Sequence, residues 1–181
     1  VPNMFPDDNA APLYNTADAS LWYFYAVWQS LQYYPDTAAN AFVQENIYPH
    51  LKEIISAYKN GTDFSIYMEE DGLIHAGSGL DQITWMDVRV GDWVATPRHG
   101  KPVEINALWY NALKVMEELA RRYEGGDDVL VTGGYATSSG SEVSVAGAAT
   151  GLDSHVMTSH DYAALAELVK ASFCRKFWWE E

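Results

Sequence analysis

From Ile105 to Ala120 the apolar residues recur every three or four positions: Ile105, Leu108, Trp109, Ala112, Leu113, Met116, Leu119 and Ala120. At 3.6 residues per turn they fall on one stripe, and only a helix keeps such a stripe together. The pattern begins just after Pro102, which suits a helix start, and runs to near Tyr123. A stripe of this kind must be covered by other elements. The rest of the chain must therefore supply that cover.

A second helix is expected from Thr16, a good N-cap, with Asp18 in the first turn where a negative charge meets the helix dipole. Leu21, Trp22, Tyr25, Trp28, Gln29 and Gln32 follow at helical spacing. Pro35 disfavours helix in the residue before it, which predicts an end near Tyr34. Thr37 to Asn60 carries a further stripe of Phe42, Ile47, Leu51, Ile54, Ile55 and Tyr58. Pro49 inside it predicts a kink or two abutting helices, and Asn60-Gly61 a C-terminal cap. A last helix is expected over Asp161–Phe177.

Between these helices, Phe64–Glu69 and Leu73–Ala76 flank Asp71-Gly72, a strong hairpin signal. Pro2, Pro6 and Pro12 make the first fifteen residues an irregular, extended entry. Gly77, Gly79, Gly91 and Gly100 punctuate a loop-rich stretch. Residues 125–160 hold 7 of the 13 glycines, no Lys or Arg and one aromatic, Tyr135. They read as a Gly/Ser-rich insertion, either flexible or with a short hairpin around 129–131 and 143–145. No internal repeat is visible. The expectation is an all-α architecture with a small β-hairpin and long loops that carry the chemistry.

Composition narrows the partners. Lys and Arg number 11 against 25 Asp and Glu, a formal net charge of −14. That charge argues against a nucleic-acid backbone or an anionic membrane surface as partner. No run of 18 apolar residues exists to span a membrane. Val1 to Asp8 shows no basic and apolar secretory pattern, so a cytoplasmic location is expected. The single cysteine, Cys174, cannot form an internal disulfide and is read as a small buried residue of the last helix. His75, His99, His155 and His160 have no metal-ligand spacing, so neither a metal nor a cofactor is expected. The chain is 14% aromatic, with 7 Trp and 12 Tyr. Aromatic faces beside carboxylates suit neutral polar ligands such as sugars; the competing reading is an aromatic core.

Sugar hydrolysis needs one acid to protonate the leaving oxygen and a second carboxylate for water or carbon. Asp87, after Thr84-Trp85-Met86 in the loop-rich stretch, is the best candidate acid, with Trp85 as a stacking face. The competing reading is a turn or cap aspartate. Asp18 lies one turn before Trp22, fit to grip sugar hydroxyls beside an aromatic wall, or merely to face the helix dipole. Glu104 and Asn106 begin the Ile105–Ala120 helix behind the basic run Arg98-His99-Gly100-Lys101. Such a helix start can bind an anion; the alternatives are a solvated loop and dipole stabilisation. Trp93, Trp109 and Tyr110 are candidate cleft residues, although aromatics at helical spacing are more often core.

At these segments the chain resembles the C-terminal glucosidase domain of glycogen debranching enzymes, the amylo-α-1,6-glucosidase family. The resemblance rests on Val1-Pro-Asn-Met-Phe-Pro-Asp7, Tyr14-Asn-Thr-Ala-Asp-Ala-Ser-Leu-Trp22, Asp71-Gly-Leu-Ile-His-Ala-Gly77 and Gln82-Ile-Thr-Trp-Met-Asp87. The longest block is Gly91-Asp-Trp-Val-Ala-Thr-Pro-Arg-His-Gly-Lys-Pro-Val-Glu-Ile-Asn-Ala-Leu-Trp-Tyr-Asn-Ala-Leu113. It covers about residues 1–124 and resumes near Tyr162. The resemblance implies an (α/α)6 toroid and inverting hydrolysis of α-1,6-linked glucose at glycogen and limit-dextrin branch points. It implies Asp87 as general acid, with Asp18, Trp22, Trp85, Arg98, His99, Lys101, Glu104, Asn106 and Trp109 lining the glucose subsite.

The stretch 125–160 departs from the family's short link. The family's Gly-Arg-Asp-Thr segment is expected before Val1 and its general base after Glu181. The 181 residues are therefore expected to be a central part of that domain, an incomplete toroid without hydrolysis of its own. The rival readings are a trehalase-like or glucoamylase-like toroid enzyme, a non-catalytic glycan-binding module, and a helical interaction domain whose aromatics are all core.

Overall fold

The computed structural model describes residues 1–125 and 156–178. In chain order its helices are α1 (Ala19–Tyr33), α2 (Thr37–Phe42), α3 (Tyr48–Asn60), α4 (Val103–Tyr123) and α5 (Ser159–Phe177), with a π turn, Val43–Ile47, joining α2 to α3. Two short antiparallel hairpins complete it. Strand β1 (Tyr67–Met68) pairs with β2 (Ile74–His75), and β3 (Arg89–Val90) with β4 (Trp93–Val94). The chain is mostly helical, as expected. The first hairpin turns through Asp71-Gly72 as the sequence predicts; the second, around Gly91-Asp92, was not anticipated.

Helix α4 is the axis of the core. Ile105, Trp109, Ala112, Leu113, Met116 and Leu119 of its stripe are fully buried. Helices α1, α3 and α5 and strand β2 all pack on it. Leu21, Phe24, Val27 and Leu31 form the buried face of α1; Leu51, Ile55 and Tyr58 that of α3; Tyr162, Ala166 and Val169 that of α5. Each large aliphatic or Phe side chain among these contributes roughly 1.5–3 kcal/mol through the apolar surface it removes from water, and the alanines less.

Polar bonds fix the first hairpin to this axis. The Ile74 N–H donates to Asn106 Oδ1 at 2.7 Å, and Asn106 Nδ2 donates to the carbonyls of Ile74 at 3.1 Å and Pro102 at 2.9 Å. Trp109 Nε1 donates to the Gly72 carbonyl at 3.0 Å, while its ring stacks on Tyr58, 5.9 Å between centroids.

Several boundaries differ from expectation for local reasons. Helix α1 begins at Ala19, with Asp18 rather than Thr16 at its N-cap. Residues 15–17 are held out of the helix by long-range bonds. The Ala17 N–H donates to the Ile83 carbonyl at 2.7 Å and Asn15 Nδ2 to the Gln82 carbonyl at 2.6 Å. The break expected at Pro49 takes the form of the π turn, in which the Tyr48 N–H donates five residues back to Val43. Pro49 then sits in the first turn of α3, where its missing N–H leaves no helical bond unmade.

Helix α5 starts two residues earlier than expected, because Thr158 and Asp161 form a reciprocal capping box. Cys174 is exposed on α5 rather than buried. The hairpin expected around 129–131 and 143–145 lies outside the described residues, as does most of the 125–160 stretch. Among the described residues no helix is long and apolar enough to cross a membrane.

Candidate active site

The bonds that delay α1 also build the site. By pairing residues 15–17 with Gln82 and Ile83, they set the N-terminus of α1 beside the 82–87 loop. Helix α1 packs against α4, which brings Glu104 of the first α4 turn to the same place. The result is a groove of about 310 Å³ lined by Asp18, Trp22, Trp85, Glu104, Ala107 and Leu108. That lies at the small end of ligand pockets. Trp22 is 51% exposed and Trp85 70% exposed, so two indole faces are open to a ligand. Four residues singled out from the sequence, from three separate segments of the chain, thus share one concave surface.

Two carboxyls, those of Asp18 and Glu104, stand in an otherwise apolar lining. Burial pushes the Asp18 carboxyl above the usual range, its own N–H and that of Ala19 pull it partly back, and the charges of Glu104 and Asp87 push it further up. Glu104 is paired with Arg98, whose other nitrogen, Nη1, lies 3.3 Å from Met86 Sδ. Arg98 therefore spans from the first turn of α4 to the loop that carries Trp85 and Asp87.

Asp87 stands on that loop, half-buried and beside the groove rather than in its lining. Its Oδ2 accepts the N–H groups of Ile83 and Thr84, the latter at 2.9 Å, and its Oδ1 accepts Thr84 Oγ1 at 3.1 Å. A carboxylate oxygen offers two lone pairs. Oδ2 has both engaged and Oδ1 has one engaged, so the remaining lone pair is on Oδ1. The turn role weighed for Asp87 from the sequence is present in the structure, and it leaves one oxygen with capacity.

The other sequence candidates lie elsewhere. Lys101 is part of an ion cluster on the first hairpin, 2.7 Å from both Glu69 Oε2 and Asp71 Oδ2. His99 Nε2 is 3.1 Å from the Asp81 carbonyl oxygen, behind the 82–87 loop. Asn106 and Trp109 do not line the groove. Both are fully buried, and their polar atoms are taken up by backbone groups of the hairpin and of Pro102. Trp93 is exposed on β4 and Tyr110 half-buried on α4, neither in the lining of this groove.

Two residues of the site were not found from the sequence. Thr84 is buried and holds Asp87 through its N–H and its hydroxyl. Thr96 bonds the backbone on both sides of Asp87: the Val88 N–H donates to its Oγ1 at 2.8 Å, and Oγ1 donates to the Met86 carbonyl at 2.8 Å. For Thr96 the only sequence signal was the Gly-Asp pair at 91–92. A two-residue turn there folds Thr96 back on the loop it supports.

Comparison with known proteins identifies the family of the chain. Neither a curated protein nor a solved structure matches the chain at a significant level. The family model described as amylo-alpha-1,6-glucosidase matches residues 1–181, running through 125–160, where the resemblance read from the sequence lapses. With that match over its whole length, the chain belongs to the amylo-alpha-1,6-glucosidase family of glycoside hydrolases.

Proposed function

We propose that this chain takes part in the hydrolysis of α-1,6-linked glucose at the branch points of glycogen or limit dextrin, with inversion at the anomeric carbon. The observation that carries the reading is the groove itself, where Trp22 and Trp85 offer sugar-stacking faces beside the carboxylates of Asp18 and Glu104. Stacking of indole on a pyranose ring and carboxylate bonds to its hydroxyls hold a neutral sugar without a charged ligand group. A carboxylate placed beside the anomeric carbon favours the oxocarbenium character of the transition state.

In this reading Asp87 is the general acid. Its Oδ1 proton passes to the glycosidic oxygen as the bond from that oxygen to the anomeric carbon breaks. A water attacks the opposite face of the sugar, losing its proton to a second carboxylate about 6.5–9.5 Å away. On the family's pattern that base would follow Glu181, and the fold would be an (α/α)6 toroid to which the described helices belong. Asp18 and Glu104 hold hydroxyls, and Arg98 steadies Glu104.

Asp87→Asn in the full-length protein tests this. The expected outcome is a fall of about 100- to 10,000-fold in kcat on limit dextrin, with KM within a few-fold of wild type. Unchanged turnover would exclude Asp87 as the acid. Glucose release from trehalose but not from limit dextrin would favour a trehalase-like enzyme instead.

One observation supports a second reading. Asp18 carries the raised carboxyl and lines the groove, so it is the alternative proton donor. The two readings part on Asp18→Asn. As a hydroxyl-binding residue Asp18 affects KM and kcat together; as the acid it affects kcat alone.

A further inference from the structure

We propose that Thr96 is a positioning residue for the acid of this site, acting through the backbone that carries Asp87. The inference rests on the reading of Asp87 given above. The Thr96 hydroxyl is the hinge pin of a two-sided clamp. It accepts the N–H of Val88 and donates to the carbonyl of Met86, both at 2.8 Å, and so fixes the peptide planes on either side of Asp87. Thr84 supplies the complementary restraint from the side chain, donating to Asp87 Oδ1 at 3.1 Å. Gln82 Nε2 adds a bond to the Asp87 carbonyl at 3.2 Å.

The clamp is not needed to fold its own hairpin. The β3–β4 ladder pairs Arg89 with Val94 and Val90 with Trp93, and the Ala95 N–H continues it to the Val88 carbonyl at 2.8 Å. The Thr96 hydroxyl reaches past that ladder to the catalytic loop. Thr96 is itself exposed, so loss of the hydroxyl leaves no buried polar group unpaired and the fold is retained. What changes is the freedom of residues 86–88, and with it the direction of Asp87 Oδ1. Misplacement of a reacting group by about 1 Å can cost around a hundredfold in rate.

The test compares two substrates in one preparation of the full-length protein. Limit dextrin has a leaving group that must be protonated; α-glucosyl fluoride loses fluoride without a proton. Their rate ratio is unaffected by the fraction of enzyme that is folded. Thr96→Val, which keeps shape and removes the hydroxyl, is expected to lower kcat on dextrin about ten- to a hundredfold while leaving fluoride turnover and KM nearly unchanged. Thr96→Ser, which keeps the hydroxyl, is expected to retain the wild-type ratio, and Asp87→Asn to lower it furthest. An unchanged ratio in Thr96→Val, or an equal fall in Thr96→Ser, overturns the assignment while the functional reading stands. Wild-type protein inert toward both substrates overturns the functional reading itself, and this assignment with it.

Discussion

The hydrogen bonds a side chain makes in one place are not available to it in another, and this sorts the polar residues of the region. Asn106 has its oxygen and both amide hydrogens committed to the backbone of Ile74 and Pro102, which makes it a strut between hairpin and helix. Lys101 likewise belongs to the hairpin. Its hydrogen bond is the largest influence holding the Glu69 carboxyl below the ordinary range. For Asp71 burial pushes upward, but Lys101 and the Leu73 N–H outweigh it and the carboxyl is lowered. Lys101 is raised, its two carboxylate partners outweighing its own burial.

The lowered carboxyls stabilise the fold above about pH 4 and lose that effect as pH falls through their folded values. The raised lysine stabilises it below about pH 10 and loses that effect as pH rises through its folded value. Lys101→Met is therefore expected to lower stability by about 1–2 kcal/mol between roughly pH 5 and pH 10, a modest figure because the cluster is partly solvated. Thermal melts across pH check this: the gap from wild type should close as pH falls through the lowered folded values of Glu69 and Asp71. A gap that persists below them would mean that packing, not charge, sets the effect.

The elements are where sequence and structure can be compared most directly. The α4 stripe was fully legible because one face of the helix is apolar and the rest is not. Helix α1 was less so, since it carries Leu21, Phe24, Val27 and Leu31 inward and Trp22, Tyr25 and Tyr33 outward. An aromatic residue reads the same in sequence whether it fills a core, as Trp109 does, or walls a groove, as Trp85 does. Thr16 is a sound cap by residue type, but bonds from its neighbours, the Asn15 side chain and the Ala17 N–H, to a loop more than sixty residues away hold this stretch out of the helix. Long-range pairing of that kind leaves no local trace. The second hairpin did leave one, in Gly91-Asp92, where Gly91 adopts φ +59° at the first turn position.

Gly72 is the element-scale test. It has φ +80°, and a Cβ there would lie 3.2 Å from the side chains of Leu168 and Val169 on α5. Gly72→Ala is expected to cost about 1–3 kcal/mol, from the left-handed backbone and the crowding against α5 together. Urea unfolding measures it. A loss much below that range would show that α5 yields to the methyl group without resistance.

At the scale of the whole molecule, one helix organises everything described. Helix α4 buries its stripe against α1, α3 and α5, holds β2 through Asn106, and presents Glu104 to the groove from its first turn. The mostly helical character was legible from periodicity alone. The candidate site was legible only in part: the sequence gathered Asp18, Trp22, Trp85 and Glu104 through resemblance. It could not separate them from Lys101, Asn106 and Trp109, because burial is a property of the folded chain.

That separation has an optical consequence. Trp109 is fully enclosed, while Trp22 and Trp85 stand open at the groove. An enclosed indole emits at shorter wavelength than a hydrated one, so the chain contains its own reference fluorophore beside its reporters. Titration with a maltooligosaccharide is expected to shift and quench the long-wavelength emission while the short-wavelength component stays constant. Trp93 and Trp178 are also exposed and add a constant background. Replacing both groove indoles, Trp22→Phe with Trp85→Phe, should erase the response, and a response left intact in that double variant would place the sugar on some other surface. The same indoles that would grip the sugar would then announce its arrival, with no label attached.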